Sequence, residues 1–92
     1  MFSPASSFTH ETAASELAAG LAAIDAGQVA FTFSQTSNID SSAVACMLAW
    51  KRHARQRQTE LKFQDIPVNL THMIELYGVA EFLWIGEMQF RY

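Results

Sequence analysis

Residues 38–50 read NIDSSAVACMLAW and pass from a polar loop, through one acid and two hydroxyls, into an apolar helix. The first backbone N–H groups of a helix have no partners within it, and Ser and Asp are the residue types that often satisfy them. Asp40, Ser41 and Ser42 are therefore predicted to form a helix N-cap. A hydroxyl at this position can also be an exposed signalling or docking site, and the local sequence does not choose between these roles.

The helix that follows is predicted over residues 41–56 and changes character along its length. Its first half is apolar nearly all round, which predicts heavy burial. Its second half carries Lys51, Arg52 and Arg55, with Arg57 just beyond it. Cations at a helix C-terminus interact favourably with the helix dipole, by about 0.3–1 kcal/mol each when exposed. The basic patch therefore has an electrostatic explanation, and it is also a candidate surface for a partner.

Further strands and helices alternate on both sides of this stretch. The predicted strands cover part of residues 1–8, then 29–34 (with Val29, Phe31 and Phe33 on one side), 60–64 and 87–92. The other predicted helices run over residues 10–26, capped by Thr9 and ended by Gly27, and from Pro67 to Gly78. Residues 82–85 fit either a short strand or a helical turn. Such alternation indicates right-handed crossovers onto a mostly parallel sheet.

These elements predict one α/β domain over residues 1–92, with a small, mostly parallel sheet of four to five strands and helices mainly on one face. Apolar spacing defines the buried helix faces. The face of the first helix comprises Leu17, Leu21 and Ile24, and that of the third comprises Leu70, Met73, Ile74 and Tyr77. The apolar tail, residues 82–92, is hard to bury in so small a monomer, so self-association as a homodimer is an open alternative.

Composition narrows the classes of function. The chain has one cysteine, which rules out an internal disulfide and favours a reducing, cytoplasmic compartment. The sequence predicts neither a signal peptide nor a membrane span, because no apolar run approaches about 20 residues. A net charge of −3 makes broad nucleic-acid binding a poor hypothesis. Any link to a membrane is therefore expected to come through a partner.

No catalytic or metal-binding pattern is found in the sequence. His10, His53 and His72 lack the spacing of a helical metal site and are interpreted as surface residues. Cys46 falls in the apolar half of a helix, where a thiol is usually inert. A nucleophilic triad at Asp40 and Ser41 would need a histidine brought in by a long-range contact. The four glycines are interpreted as caps or turns. The sequence therefore predicts a domain that is not an enzyme and has no cofactor.

Residues 31–43, FTFSQTSNIDSSA, resemble the signature of STAS domains, in which a strand leads through a loop to Asp-Ser-Ser at the start of a helix. The likeness continues in register through residues 48–54, 61–63, 67–70 and 76–79, and it spans roughly residues 9–85. Within the family, LAWKRHA and LYGV are most similar to MlaB-type proteins. These are cytoplasmic STAS subunits of the Mla phospholipid ABC transporter, which maintains outer-membrane lipid asymmetry in Gram-negative bacteria.

The resemblance implies a non-catalytic accessory subunit that binds the ATPase of the transporter and is peripheral to the inner membrane through it. It also implies that Ser41 corresponds to the Ser or Thr that is phosphorylated in anti-sigma factor antagonists. The alternative function is therefore an antagonist switched by phosphorylation of Ser41, with a kinase-type anti-sigma factor as its partner. In either case Asp40, Ser41 and Ser42, with Lys51, Arg52 and Arg55, are the expected contact residues.

Overall fold

The computed structural model describes residues 1–83 and contains four short strands and four helices. The strands are Ser7–Phe8 (β1), Ala30–Thr32 (β2), Asn38–Ile39 (β3) and Lys62–Gln64 (β4). The helices are Ala13–Asp25 (α1), Ser42–Gln56 (α2), Val68–Leu76 (α3) and Ala80–Leu83 (α4). The strand predicted over residues 87–92 lies outside the described residues, as does most of the apolar tail.

All strand pairings in this part of the chain are parallel, which confirms the predicted α/β fold. β1 pairs with β3, and β2 pairs with β4. Phe2 makes a further parallel bridge to Phe31 of β2. The N-terminal segment thus contacts both pairs, but Pro4 lies between its two contacts and has no N–H to donate. A continuous ladder is therefore interrupted there, and the four strands form two pairs instead of one regular sheet.

Trp50 of α2 is the centre of the core and has no exposed surface. Its ring lies 5.1 Å from that of Phe31, 5.8 Å from that of Phe8 and 5.9 Å from that of Phe2, measured between centroids. Its Nε1–H donates a hydrogen bond of 3.1 Å to the carbonyl oxygen of Leu17 on α1. Helices α1, α3 and α4 each pack against α2. The helix that begins at the Asp-Ser-Ser motif is therefore held in place from several sides.

Gly20 explains how α1 approaches α2 so closely. It was predicted to be a cap or a turn, but it lies in the middle of α1 and is buried. A Cβ atom at this position would lie 2.2 Å from Nε1 of Trp50. The glycine is therefore required by the width of the indole ring. Gly27 and Gly78, by contrast, follow α1 and α3 with φ of 95° and 68°, as predicted for helix ends.

The start of α1 differs from the prediction. The helix begins at Ala13, three residues after His10, and its N-cap residue is Thr12, not Thr9. Thr9 instead closes a turn. Its N–H donates a hydrogen bond of 3.0 Å to Oγ1 of Thr12, and its carbonyl oxygen accepts one of 3.0 Å from the Thr12 N–H. The two threonines satisfy each other locally, so residues 9–12 form a separate turn between β1 and α1.

Two residues predicted to face the core are half exposed. Val29 precedes the first paired residue of β2 and is 51% exposed. Tyr77 follows the last residue of α3 and is 50% exposed. Each residue therefore lies one position outside its regular element, because β2 begins at Ala30 and α3 ends at Leu76. Residues 80–83 form a helical turn, so the helical alternative was correct for the described part of that segment.

Candidate functional site

Asp40 provides the side-chain cap of α2. Its Oδ1 accepts a hydrogen bond of 2.8 Å from the N–H of Ser42, the first residue of the helix. Ser41 occupies the N-cap position, but its side chain makes no capping bond. The predicted place of the cap is therefore correct, whereas the capping group is the carboxylate and not the Ser41 hydroxyl. Because Asp40 already serves the helix, the exposed Ser41 side chain is left with no hydrogen bond in the described part of the chain.

His10 is the residue of this site that the sequence did not reveal. Its N–H donates a hydrogen bond of 2.8 Å to Oδ2 of Asp40, and its Nδ1 lies 3.2 Å from the same oxygen. The contact follows from the parallel pairing of β1 with β3, which sets Phe8 opposite Ile39. The residues just after both strands then meet at one edge of the sheet. The short strand predicted in residues 1–8 is the sequence signal that leads toward this contact. The pattern over residues 10–26, however, predicts that His10 belongs to the first helix.

The carboxyl group of Asp40 is held in its charged form. Hydrogen bonds from the backbone N–H groups of His10 and Ser42, in that order of importance, keep the pKa of Asp40 well below its ordinary value. The hydroxyl of Ser42 and the ring of His10 add smaller effects in the same direction. The loop therefore presents a fixed negative charge next to a free hydroxyl.

This depressed pKa predicts a pH dependence. An acid whose pKa is lower in the folded state stabilises the fold at pH values above its unfolded pKa of about 3.9. That contribution is lost as the pH falls through the folded pKa. In an NMR titration, the side-chain carboxyl signal of Asp40 is expected to remain that of a carboxylate below a pH of about 3.9. Titration of Asp40 near its ordinary value would contradict the geometry.

Alanine substitutions separate the roles of the two neighbours. Ser41→Ala is expected to change the free energy of unfolding by less than about 0.5 kcal/mol, as for a surface position without a special contact. Asp40→Ala removes the cap and the acceptor of the His10 N–H, so it is expected to lower the midpoint of thermal unfolding by several degrees. Thermal melts followed by circular dichroism measure both. A larger loss for Ser41→Ala than for Asp40→Ala would reverse the assignment.

The Asp40–His10 pair raises the question of a nucleophilic serine. A carboxylate that orients an imidazole beside a serine is part of a catalytic triad, but the histidine must also be hydrogen-bonded to the hydroxyl. The structure gives the Ser41 hydroxyl no such hydrogen bond to His10.

Residues 1–83 also contain no group of three His, Cys, Asp or Glu side chains placed to hold a metal ion.

Lys51 is in a different setting from the one expected for a docking surface. Only 7% of it is exposed. Its amine donates a hydrogen bond to the carbonyl oxygen of Leu61 and lies 5.3 Å from the centroid of the Phe63 ring. Burial of a lysine amine is tolerated when such partners replace water. Lys51 therefore ties α2 to the β4 region.

The remaining cations at the end of α2 fall into two groups. Arg57 and His53 both bind Oδ1 of Asp25, at 3.1 Å and 2.8 Å, and so join the C-terminal ends of α1 and α2. Arg52 and Arg55 are exposed, and neither makes an ion pair with a described side chain of residues 1–80, 82 or 83. Of the predicted basic contact residues, these two arginines are the ones that the fold presents to solvent.

Cys46 is buried in the interface of α1 and α2, as predicted. Its Sγ lies 3.8 Å from the carbonyl oxygen of Ala13. Burial raises the pKa of the thiol, with the nearby Glu16 carboxylate adding to the effect. The thiolate is therefore disfavoured, which is the setting of a structural and not of a reactive cysteine.

No helix of residues 1–83 is both long and apolar enough to cross a membrane.

A protein-family model described as "Mlab, STAS domain" matches residues 5–86. The matched region contains the Asp40–Ser42 loop, all of α2 and His10. No curated protein and no solved structure matches the chain. The comparison therefore covers most of the chain and includes each residue of the candidate site.

Proposed function

The chain belongs to the MlaB-type STAS family, and on that premise we propose that it is a non-catalytic accessory subunit that binds the ATPase of a phospholipid-transport ABC transporter. STAS domains in general act as accessory or regulatory modules without catalysis. The proposed partner places the chain in the cytoplasm, at the inner membrane only through the transporter. In this role the domain supports assembly and activity of the ATPase.

The observation that carries the proposal is the state of the Asp40–Ser42 loop. Ser41 is exposed at the start of α2 and uses no hydrogen bond to hold the helix. Asp40 beside it is rigidly held by two backbone N–H groups and remains charged. A fixed charge and an unused hydroxyl on a well-packed element form a surface that a partner can bind without rearranging the domain.

A comparison of transporter preparations tests the proposed function. Transporter purified from cells that lack this chain is expected to hydrolyse ATP more slowly and to lose ATPase subunit during purification. Addition of the purified chain is expected to restore the rate, because the role is assembly and not chemistry. Unchanged ATP hydrolysis and subunit content in its absence would remove the basis of the proposal.

The alternative function is an anti-sigma factor antagonist, and the same unused hydroxyl favours it. A helix N-terminus accommodates a phosphate, since its N–H groups and dipole favour negative charge. Phosphorylation of Ser41 would therefore leave the domain folded while adding about −1.5 to −2 charges. Incubation with ATP and the candidate anti-sigma kinase, followed by mass spectrometry, discriminates between the two functions. A phosphopeptide covering Ser41 favours the antagonist, and its absence favours the transporter subunit.

A further inference from the structure

A groove between α2 and the segment after α3 is separate from the Asp40–Ser42 loop. We name it the α2/α4 groove. It is lined by Leu48, Lys51, Arg52, Arg55, Val79 and Phe82. Its volume of about 330 Å³ is near the lower end of the range found for binding sites. An adjoining cavity is lined by Lys51 and Arg55 together with Glu60.

One wall of the groove is cationic. Arg52 and Arg55 are both exposed, and neither has an ion-pair partner among the side chains that the structure describes, which are those of residues 1–80, 82 and 83. They lie three residues apart on α2, so they are adjacent on its surface at a separation of about 5–6 Å between Cβ atoms. The planar guanidinium group matches a carboxylate through two parallel hydrogen bonds. The wall is therefore suited to two carboxylates that are also about one helical turn apart.

The rest of the groove lining, apart from Lys51, is apolar. Phe82 is 58% exposed, while Leu48 and Val79 are partly buried and pack against the core. Lys51 contributes to the floor, and its amine is already bonded to the carbonyl oxygen of Leu61. An exposed aromatic ring beside two arginines is a combination enriched in protein interfaces, where aromatic and arginine side chains supply much of the binding energy.

We propose that the α2/α4 groove binds an acidic amphipathic helix of a protein partner. Two carboxylates one turn apart on that helix pair with Arg52 and Arg55, and an apolar side chain on the adjacent face packs against Phe82. The match rests on complementary charge and on the spacing of the two arginines, which a helix reproduces at its i and i+3 or i+4 positions. The inference rests on the proposed function only for the identity of the partner.

Photo-crosslinking in cells tests the occupant directly. A benzophenone side chain is introduced at Phe82, and at Leu76 as the matched control, since Leu76 is 79% exposed but does not line the groove. The expected product is a crosslink from position 82, absent from position 76, to a peptide with two acids three or four residues apart. A crosslink to lipid, to a peptide without such acids, or at equal yield from both positions would overturn the inference.

Charge reversal then measures the contribution of the arginines. The double variant Arg52→Glu/Arg55→Glu is expected to weaken binding of the crosslinked partner roughly tenfold or more and to reduce its salt dependence. Arg52→Lys/Arg55→Lys keeps the charge and is expected to recover part of the affinity. Unchanged affinity in the folded double glutamate variant would contradict the proposal. If the crosslinked acidic helix belongs to a protein other than the ATPase, the groove assignment stands, and the comparison of ATP hydrolysis with and without the chain decides the transporter function separately.

Discussion

Replacing Gly20 with alanine is expected to lower the free energy of unfolding by about 1–3 kcal/mol, the usual cost of overpacking a core. The new Cβ would lie 2.2 Å from Nε1 of Trp50, so the indole or α1 must move. Trp50 is fully buried and cannot turn into free space. Helix propensity alone predicts the opposite, since alanine is favoured over glycine by about 1 kcal/mol in a helix interior.

Chemical denaturation of matched variants distinguishes packing from propensity. Ala18→Gly, at an exposed position of α1, reports the propensity term in the same helix. Combining Gly20→Ala with Trp50→Phe is expected to cost less than the sum of the single changes, because the smaller ring leaves room for the Cβ. A Gly20→Ala protein more stable than the parent would show that α1 does not press against the Trp50 ring.

Introducing a charge at Ser41 is expected to weaken ATPase binding about tenfold or more while the domain stays folded. Ser41→Glu adds a second carboxylate beside Asp40, and a partner surface must then desolvate both. Folding is spared because the Ser41 side chain makes no capping bond and acids are tolerated at a helix N-terminus. Affinity measured by biolayer interferometry, together with a thermal melt, separates binding from stability.

Asn69→Glu is the matched control for this charge. Asn69 is an exposed polar residue in the first turn of α3, so the substitution adds the same charge at a comparable helix position. It is expected to leave ATPase affinity unchanged. Equal affinities for Ser41→Glu, Asn69→Glu and the parent would place the contact elsewhere on the domain.

The fold class was predictable because the strong patterns in the sequence have local causes. The alternation around Phe31 and Phe33, the apolar first half of α2 and the glycines that end α1 and α3 each depend on neighbours in the chain. The division of the strands into two pairs was not predictable, because it depends on where the N-terminal segment crosses the sheet. The role of Gly20 was missed for the same reason, since Trp50 is 30 residues away.

The candidate site was predicted in position but not in detail. The motif located the start of α2, yet Asp40 and not a serine caps it, because carboxylate and hydroxyl are both good caps and only the loop conformation decides. His10 joins the site through a parallel strand pairing that local sequence cannot reveal. Lys51 was grouped with Arg52 and Arg55 as exposed charges, but residues 51 and 52 face different directions on a helix, and Lys51 points to β4.

Affinity purification of the tagged chain at its native expression level tests the central claim most directly. The account predicts that the ATPase and membrane subunits of the phospholipid transporter co-purify with the parent chain and with Ser41→Ala. It predicts their loss with Ser41→Glu, although that variant remains folded. A chain that retains no ATPase under these conditions, or whose Ser41→Glu variant retains it as well as the parent, would contradict docking through the Asp40–Ser42 loop.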